Sequence, residues 1–149
     1  MPDTARALLT AALLSGSALA ALTLRLQRTD PDSTERVVGE LHVMRWIAVI
    51  LAATGALTAG LAVARATPPM GALEVTIGVA FIAIAGVTLA WHPRQGLLIS
   101  AGAFVLHALV DIAHRPGLLS PEIAPRWFTV GCAIYDVYVA AVCYWAQRR

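Results

Sequence analysis

The run GALEVTIGVAFIAIAGVTLAW, Gly71 to Trp91, decides the fold: it holds twenty-one residues and one charge, Glu74. At a rise of about 1.5 Å per residue, a helix of that length covers the roughly 30 Å hydrocarbon layer of a bilayer. Four similar runs flank it. Ala7 to Leu24 has no charge, and Met44 to Ala64 follows it. Leu97 to Ala113 carries His107 and Asp111, and Trp127 to Trp145 carries Asp136. The breaks are rich in proline, with Pro68 and Pro69 in one, Pro93 in the next and three prolines between Arg115 and Arg126. Pro and Gly clusters end helices. The chain therefore predicts an all-α integral membrane bundle of about five transmembrane helices, forming one domain with spans near 7–24, 44–64, 71–91, 97–113 and 127–145.

Composition agrees. Hydrophobic residues make up 58% of the 149 and charged residues 13%, against about 25% charged in soluble domains. Mean hydropathy is +0.71. All eleven basic residues are arginine, and the net charge of +2 gives no basis for a nucleic-acid partner. Cys132 and Cys143 lie eleven positions apart in one run, roughly 16 Å along a helix and beyond the ~7 Å that a disulfide allows.

Arginines set the expected orientation. With five spans, Arg25, Arg28, Arg36, Arg45, Arg94, Arg148 and Arg149 fall on one side, and Arg6, Arg65, Arg115 and Arg126 on the other. Seven against four places the C-terminus in the cytoplasm and the N-terminus outside, in a multi-pass protein of the inner membrane. A signal peptide cleaved after Ala20 would put the arginine-rich 25–45 loop outside, so the first run is read as a retained span. That loop contains Asp32-Ser33-Thr34-Glu35, a capping-box pattern that would start the second helix before the membrane. Glu40, His42 and Arg45 read as solvated interface residues, and His92 as a turn residue. Gly55, Gly60, Gly78 and Gly86 suit close helix packing in lipid.

In this topology Glu74, His107, Asp111, His114 and Asp136 all fall in the outer half of the bundle, with none in the inner half of the same spans. Asp136 lies roughly 13 Å deep by helical rise. Ser100, Phe104, His107, Asp111 and His114 share one face of the fourth helix by steps of three and four. On the fifth, Thr129, Cys132, Asp136 and Cys143 share a stripe. A carboxylate at mid-membrane costs about 2.5–3.5 kcal/mol on insertion scales, so it faces the interior and finds a partner. Glu74, His107, Asp111 and Asp136 are expected to converge.

Three readings stay open for that cluster: structural hydrogen bonding, a proton-handling site, or a metal site drawing on Asp111, one histidine and Asp136 or Glu74. His107 and His114 are about 10 Å apart along the axis, long for one ion. The H-E-x-x-H spacing of zinc hydrolases is also absent, which lowers the metal reading; no metal ligand is assigned and the cofactor is left unknown. Catalysis is assigned to Asp136, His107 and Asp111. Substrate binding goes to Glu74 at the mouth, His114, Tyr135, Tyr138 and Arg126. The substrate is a lipophilic, isoprenoid- or lipid-like molecule turned over by acid–base chemistry, the bilayer is the other partner, and self-association is left open. A small-molecule or proton-coupled transporter and a non-catalytic membrane subunit are the alternatives. The apolar loop 115–126, with Leu118, Leu119 and Ile123, is either a lid over the cluster or a connector.

The segments His107-Ala-Leu-Val-Asp111-Ile-Ala-His114 and Gly131-Cys132-Ala-Ile-Tyr135-Asp136 resemble small bacterial polytopic membrane proteins of an uncharacterised family. These have an H-x3-D-x2-H helix followed by a G-C-x-x-x-D helix. The resemblance covers about the last third of the chain and implies a choice of residues, not a reaction.

Overall fold

Ser33 starts the second helix ten residues ahead of its membrane-length run. Its Oγ accepts the Arg36 backbone N–H at 3.1 Å and donates to Asp30 O at 2.7 Å. That is half of a capping box. The third helical position is Arg36, so no acidic side chain there reaches back to the cap. In the computed structural model, which describes residues 3–65, 70–115, 118–119 and 122–148, five helices follow in order. They are α1 (Asp3–Gln27), α2 (Thr34–Arg65), α3 (Met70–Leu89), α4 (Pro93–Ala113) and α5 (Arg126–Ala146). Pro93 opens α4 at a position where its missing N–H costs nothing. Pro68 and Pro69, read as a helix break, lie outside the described residues.

All five helices are long and apolar enough to cross a membrane, with mean hydropathy between 1.4 and 2.2 in their most apolar windows. The outside of the bundle is apolar, with Leu13, Val63 and Ile134 more than 60% exposed. Arg36, Glu40, Glu74, His107, Asp111 and Asp136 are buried. This distribution suits lipid and would be costly in water.

Odd-numbered helices run one way and even-numbered helices the other. Asp3, Arg65 and Arg126 therefore share one end (the Arg126 end), and Gln27, Pro93 and Ala146 share the other (the Arg36 end). The closest approach is between α2 and α3. A Cβ on Gly55 would stand 2.5 Å from Gly78 O, and one on Gly78 would stand 2.6 Å from Gly55 O. Only glycine permits that crossing. Gly60 and Gly86 have open space around them and play no such part. Leu51, Phe81, Leu97, Phe104, Val139 and their neighbours fill the core between helices.

Helix α1 is held to α5 by three hydrogen bonds. Ser15 Oγ pairs with Tyr135 Oη at 2.8 Å, Tyr138 Oη donates to Gly16 O at 2.8 Å, and Gln27 Nε2 donates to Trp145 O at 3.0 Å. All three lie from mid-helix toward the Arg36 end. Toward Asp3, α1 stands away from α2 and α5, and a cleft opens between them.

The reading of Glu40 as solvated is corrected by the structure, since Glu40 and Arg36 are each 1% exposed. Arg36 Nε donates to Glu40 Oε1 at 3.0 Å, and Arg94 Nε reaches both Glu40 oxygens at 3.1 and 3.2 Å. Arg36 Nη1 donates to Leu26 O at 2.6 Å, while Nη2 reaches Ala146 O and Arg148 O at 3.4 and 3.3 Å. The early start of α2 carries Arg36 beneath the C-terminal ends of α1 and α5. There a cation meets helix carbonyls that have no partner within their own helices. His42 and Arg45 are exposed, as expected.

Candidate functional site

The predicted faces of α4 and α5 meet. Ser100, Phe104, His107, Asp111 and His114 are all buried, as are Thr129, Asp136 and Cys143. His107 stands at the centre. Its Nδ1 lies 2.7 Å from Asp136 Oδ2 and 3.5 Å from Asp111 Oδ2. Its Nε2 lies 3.0 Å from Thr58 Oγ1, and Phe81 packs against the ring with centroids 4.8 Å apart.

Thr58 bears on where the ring's protons are. Its hydroxyl also lies 3.1 Å from Thr54 O, which can only accept. A hydroxyl has one proton to donate: given to Thr54 O, it leaves Thr58 to accept from His107 Nε2–H, and given to Nε2 it meets a neutral ring. In either case Nδ1 faces the carboxylates, and the 2.7 Å contact with Asp136 holds one shared proton. Among the described residues Asp111 Oδ2 has no hydrogen-bond partner, although Asp111 is only 8% exposed. Two buried carboxylates thus share one imidazole.

Glu74 is 0% exposed and does not stand at a mouth as expected. Its Oε1 lies 3.5 Å from His114 Nε2, because α4 packs over the start of α3. His114 Nδ1 donates to Val110 O at 2.9 Å. Of the four groups expected to converge, His107, Asp111 and Asp136 lie together, while Glu74 is placed against His114.

Two cavities adjoin the centre. One, of about 30 Å3, is walled by Thr58, His107, Asp111, His114, Thr129 and Cys132, with room for about one water molecule. Ile123, Ala124 and Phe128 also line it. Ile123 and Ala124 are buried against Ala62, so this end of loop 115–126 covers the site. Leu118 is 72% exposed and takes no part. Pro116, Gly117, Ser120 and Pro121 lie outside the described residues.

The other cavity is the cleft beside α1, about 760 Å3. Leu8, Leu9, Val49, Leu57, Trp127 and Phe128 give it apolar walls, and Ser15, Tyr135 and Asp136 sit at mid-bundle depth. Asp136 thus lies in the wall between the cleft and His107, with its side chain only 1% exposed. Tyr135 lines the cleft. Tyr138 does not; it spends its hydroxyl on Gly16 O. Arg126 is exposed and lines neither cavity.

Thr58 was missed because a threonine in an apolar span has a ready local use, bonding its own helix, that gives no hint of a distant imidazole. His107, Asp111 and Asp136 each offer a donor atom within 4.8 Å of the others. That spacing is within the reach of one divalent cation, and it arises from two helices rather than from a sequence motif. Cys132 and Cys143 are both free thiols.

No family model matches the chain, and no curated protein or solved structure matches it significantly. The resemblance in the last third of the chain rests on its two short motifs alone.

Proposed function

We propose that the protein is an inner-membrane enzyme that takes a lipophilic molecule from the bilayer into the cleft beside α1. The Asp136–His107 pair then gives its shared proton to that molecule or, having released it, takes one from it. One observation carries the reading: Asp136 is the carboxylate that lines a 760 Å3 apolar cleft and also lies 2.7 Å from a buried imidazole. Positioned acid–base groups of this kind supply about 10²–10⁴-fold in rate. Asp111 tunes the imidazole from its other side, and Thr58 fixes the ring. The N-terminus and the Arg126 end face outward in this reading, on the strength of the seven-to-four arginine count.

The transporter alternative is less well supported. Between Asp136 and the Arg36 end, the interior is packed with Phe104, Val139, Leu97, Met44 and Cys143, each 0% exposed. Proton relays run through chains of ionisable groups, and that packing interrupts one.

The test uses Asp136→Asn in lipid nanodiscs. The amide is nearly isosteric and still bonds to His107, so the variant should melt close to the native protein. Incubated with a neutral lipid extract, native protein should convert at least one component, read by mass spectrometry, and the variant should convert none. Equal conversion by both proteins would remove Asp136 from the chemistry.

A further inference from the structure

The cleft is one-sided in charge. Among its described lining residues none is basic, and the one carboxylate is Asp136. A ligand with a phosphate or carboxylate head would enter a low-dielectric space with no cation to meet it, next to a carboxylate that repels it. Behind Asp136, Asp111 lies 3.5 Å from the same imidazole nitrogen, with a buried Oδ2 that has no hydrogen-bond partner among the described residues. A single imidazolium balances one of these carboxylates. Asp111 lines the small cavity and not the cleft, so its excess negative charge acts through space on a ligand seated at Asp136. Three lining residues, Trp127, Phe128 and Tyr135, are aromatic, and aromatic faces attract organic cations. The volume suits a drug-sized molecule.

We propose that the cleft selects lipophilic monocations: a protonated amine seated against Asp136, with its hydrocarbon body between α1, α2 and α5. The proposal rests on the preceding reading for the location of the pocket and is independent of its chemistry. In an enzyme, the same preference would stabilise positive charge developing on a bound hydrocarbon.

Three probes of equal chain length separate charge from greasiness: N,N-dimethyldodecylamine, 1-dodecanol and dodecanoate. Binding to the full chain in nanodiscs is read by thermal shift and tryptophan fluorescence. The amine should bind at least about tenfold more tightly than the alcohol, a difference of roughly 1.4 kcal/mol, and dodecanoate should bind most weakly. In Asp111→Asn/Asp136→Asn the amine and the alcohol should become equal. Should that variant fail to fold, Gly131→Leu serves instead. A Cβ at Gly131 meets nothing within 4 Å, so the added side chain enters open space beside the cleft and should weaken amine binding.

Equal affinity for amine and alcohol in the native protein would overturn the proposal. So would tighter binding of dodecanoate, a preference that survives the double substitution, or amine binding untouched by Gly131→Leu. Stabilisation by Zn2+ with none by the amine would give the same donors to a metal and overturn it equally. Because binding is read without turnover, amine selectivity in a protein that converts nothing would leave this proposal standing while the enzyme reading fell.

Discussion

Replacing Arg36 with methionine should be the most damaging single change at the Arg36 end of the bundle. Arg36 is 1% exposed, and its guanidinium holds α2 to the last turns of α1 and α5. Two of its bonds are short, 2.6 Å to Leu26 O and 3.0 Å to Glu40 Oε1. The other two, at 3.3 and 3.4 Å, are long enough to be counted as zero. Hydrogen bonds to charged groups contribute about 1.5–3 kcal/mol each, so the two short ones amount to roughly 3–6 kcal/mol. Breaking a buried ion pair by removing one partner costs about 3–5 kcal/mol, which falls within that range. Glu40 keeps Arg94, so the lower half, about 3–4 kcal/mol, is expected. The assay is reversible unfolding in mixed micelles, followed by tryptophan fluorescence. Arg94→Met is the control; its side chain is 41% exposed, and such pairs contribute about 1 kcal/mol or less. Arg36→Met/Glu40→Met should recover part of the loss, because no buried carboxylate is then left short of a partner. A loss below about 1 kcal/mol for Arg36→Met, or one equal to that of Arg94→Met, would refute the clamp.

Three further outcomes are expected. Gly78→Ala places a Cβ 2.6 Å from Gly55 O and 2.7 Å from Ala59 N, and overpacking of this kind costs about 1–3 kcal/mol. Gly86→Ala meets nothing and should be neutral or slightly stabilising; equal unfolding curves for the two would show that the α2–α3 crossing is not tight. Thr58→Val leaves the buried His107 Nε2 without its hydrogen-bond partner, at about 1–3 kcal/mol, and native stability in that variant would mean the ring is held otherwise. A reporter active only in the cytoplasm should work when fused to the C-terminus, and silence in a well-expressed fusion would reverse the assigned orientation.

Much of the fold was legible because membrane insertion is a local property. Whether Gly71 to Trp91 can cross a bilayer depends on its own length and apolarity. The shared face of Ser100, His107, Asp111 and His114 follows from helical periodicity within one helix. Asp136 stood out because a carboxylate in hydrocarbon needs a partner wherever it is placed.

Beyond the grouping of Asp136 with His107 and Asp111, the partners were not legible, because they come from other helices. Glu40 and Arg36 lie in the most polar stretch of the chain, which reads as solvated. They are buried because Ser33 starts α2 early enough to carry them under the ends of α1 and α5. Glu74 looked like the mouth of a pocket until α4 packed over it. Four glycines were equivalent in sequence, yet only Gly55 and Gly78 meet at a crossing. The cleft has no sequence signature, since it is the space left where α1 is held to α5 at Ser15 and Gly16 and stands away beyond them. Apolar length along the chain is enough to choose the spans. The polar centre and its access route depend on how five helices pack, because desolvated charges are balanced by whichever groups the packing brings within about 3 Å.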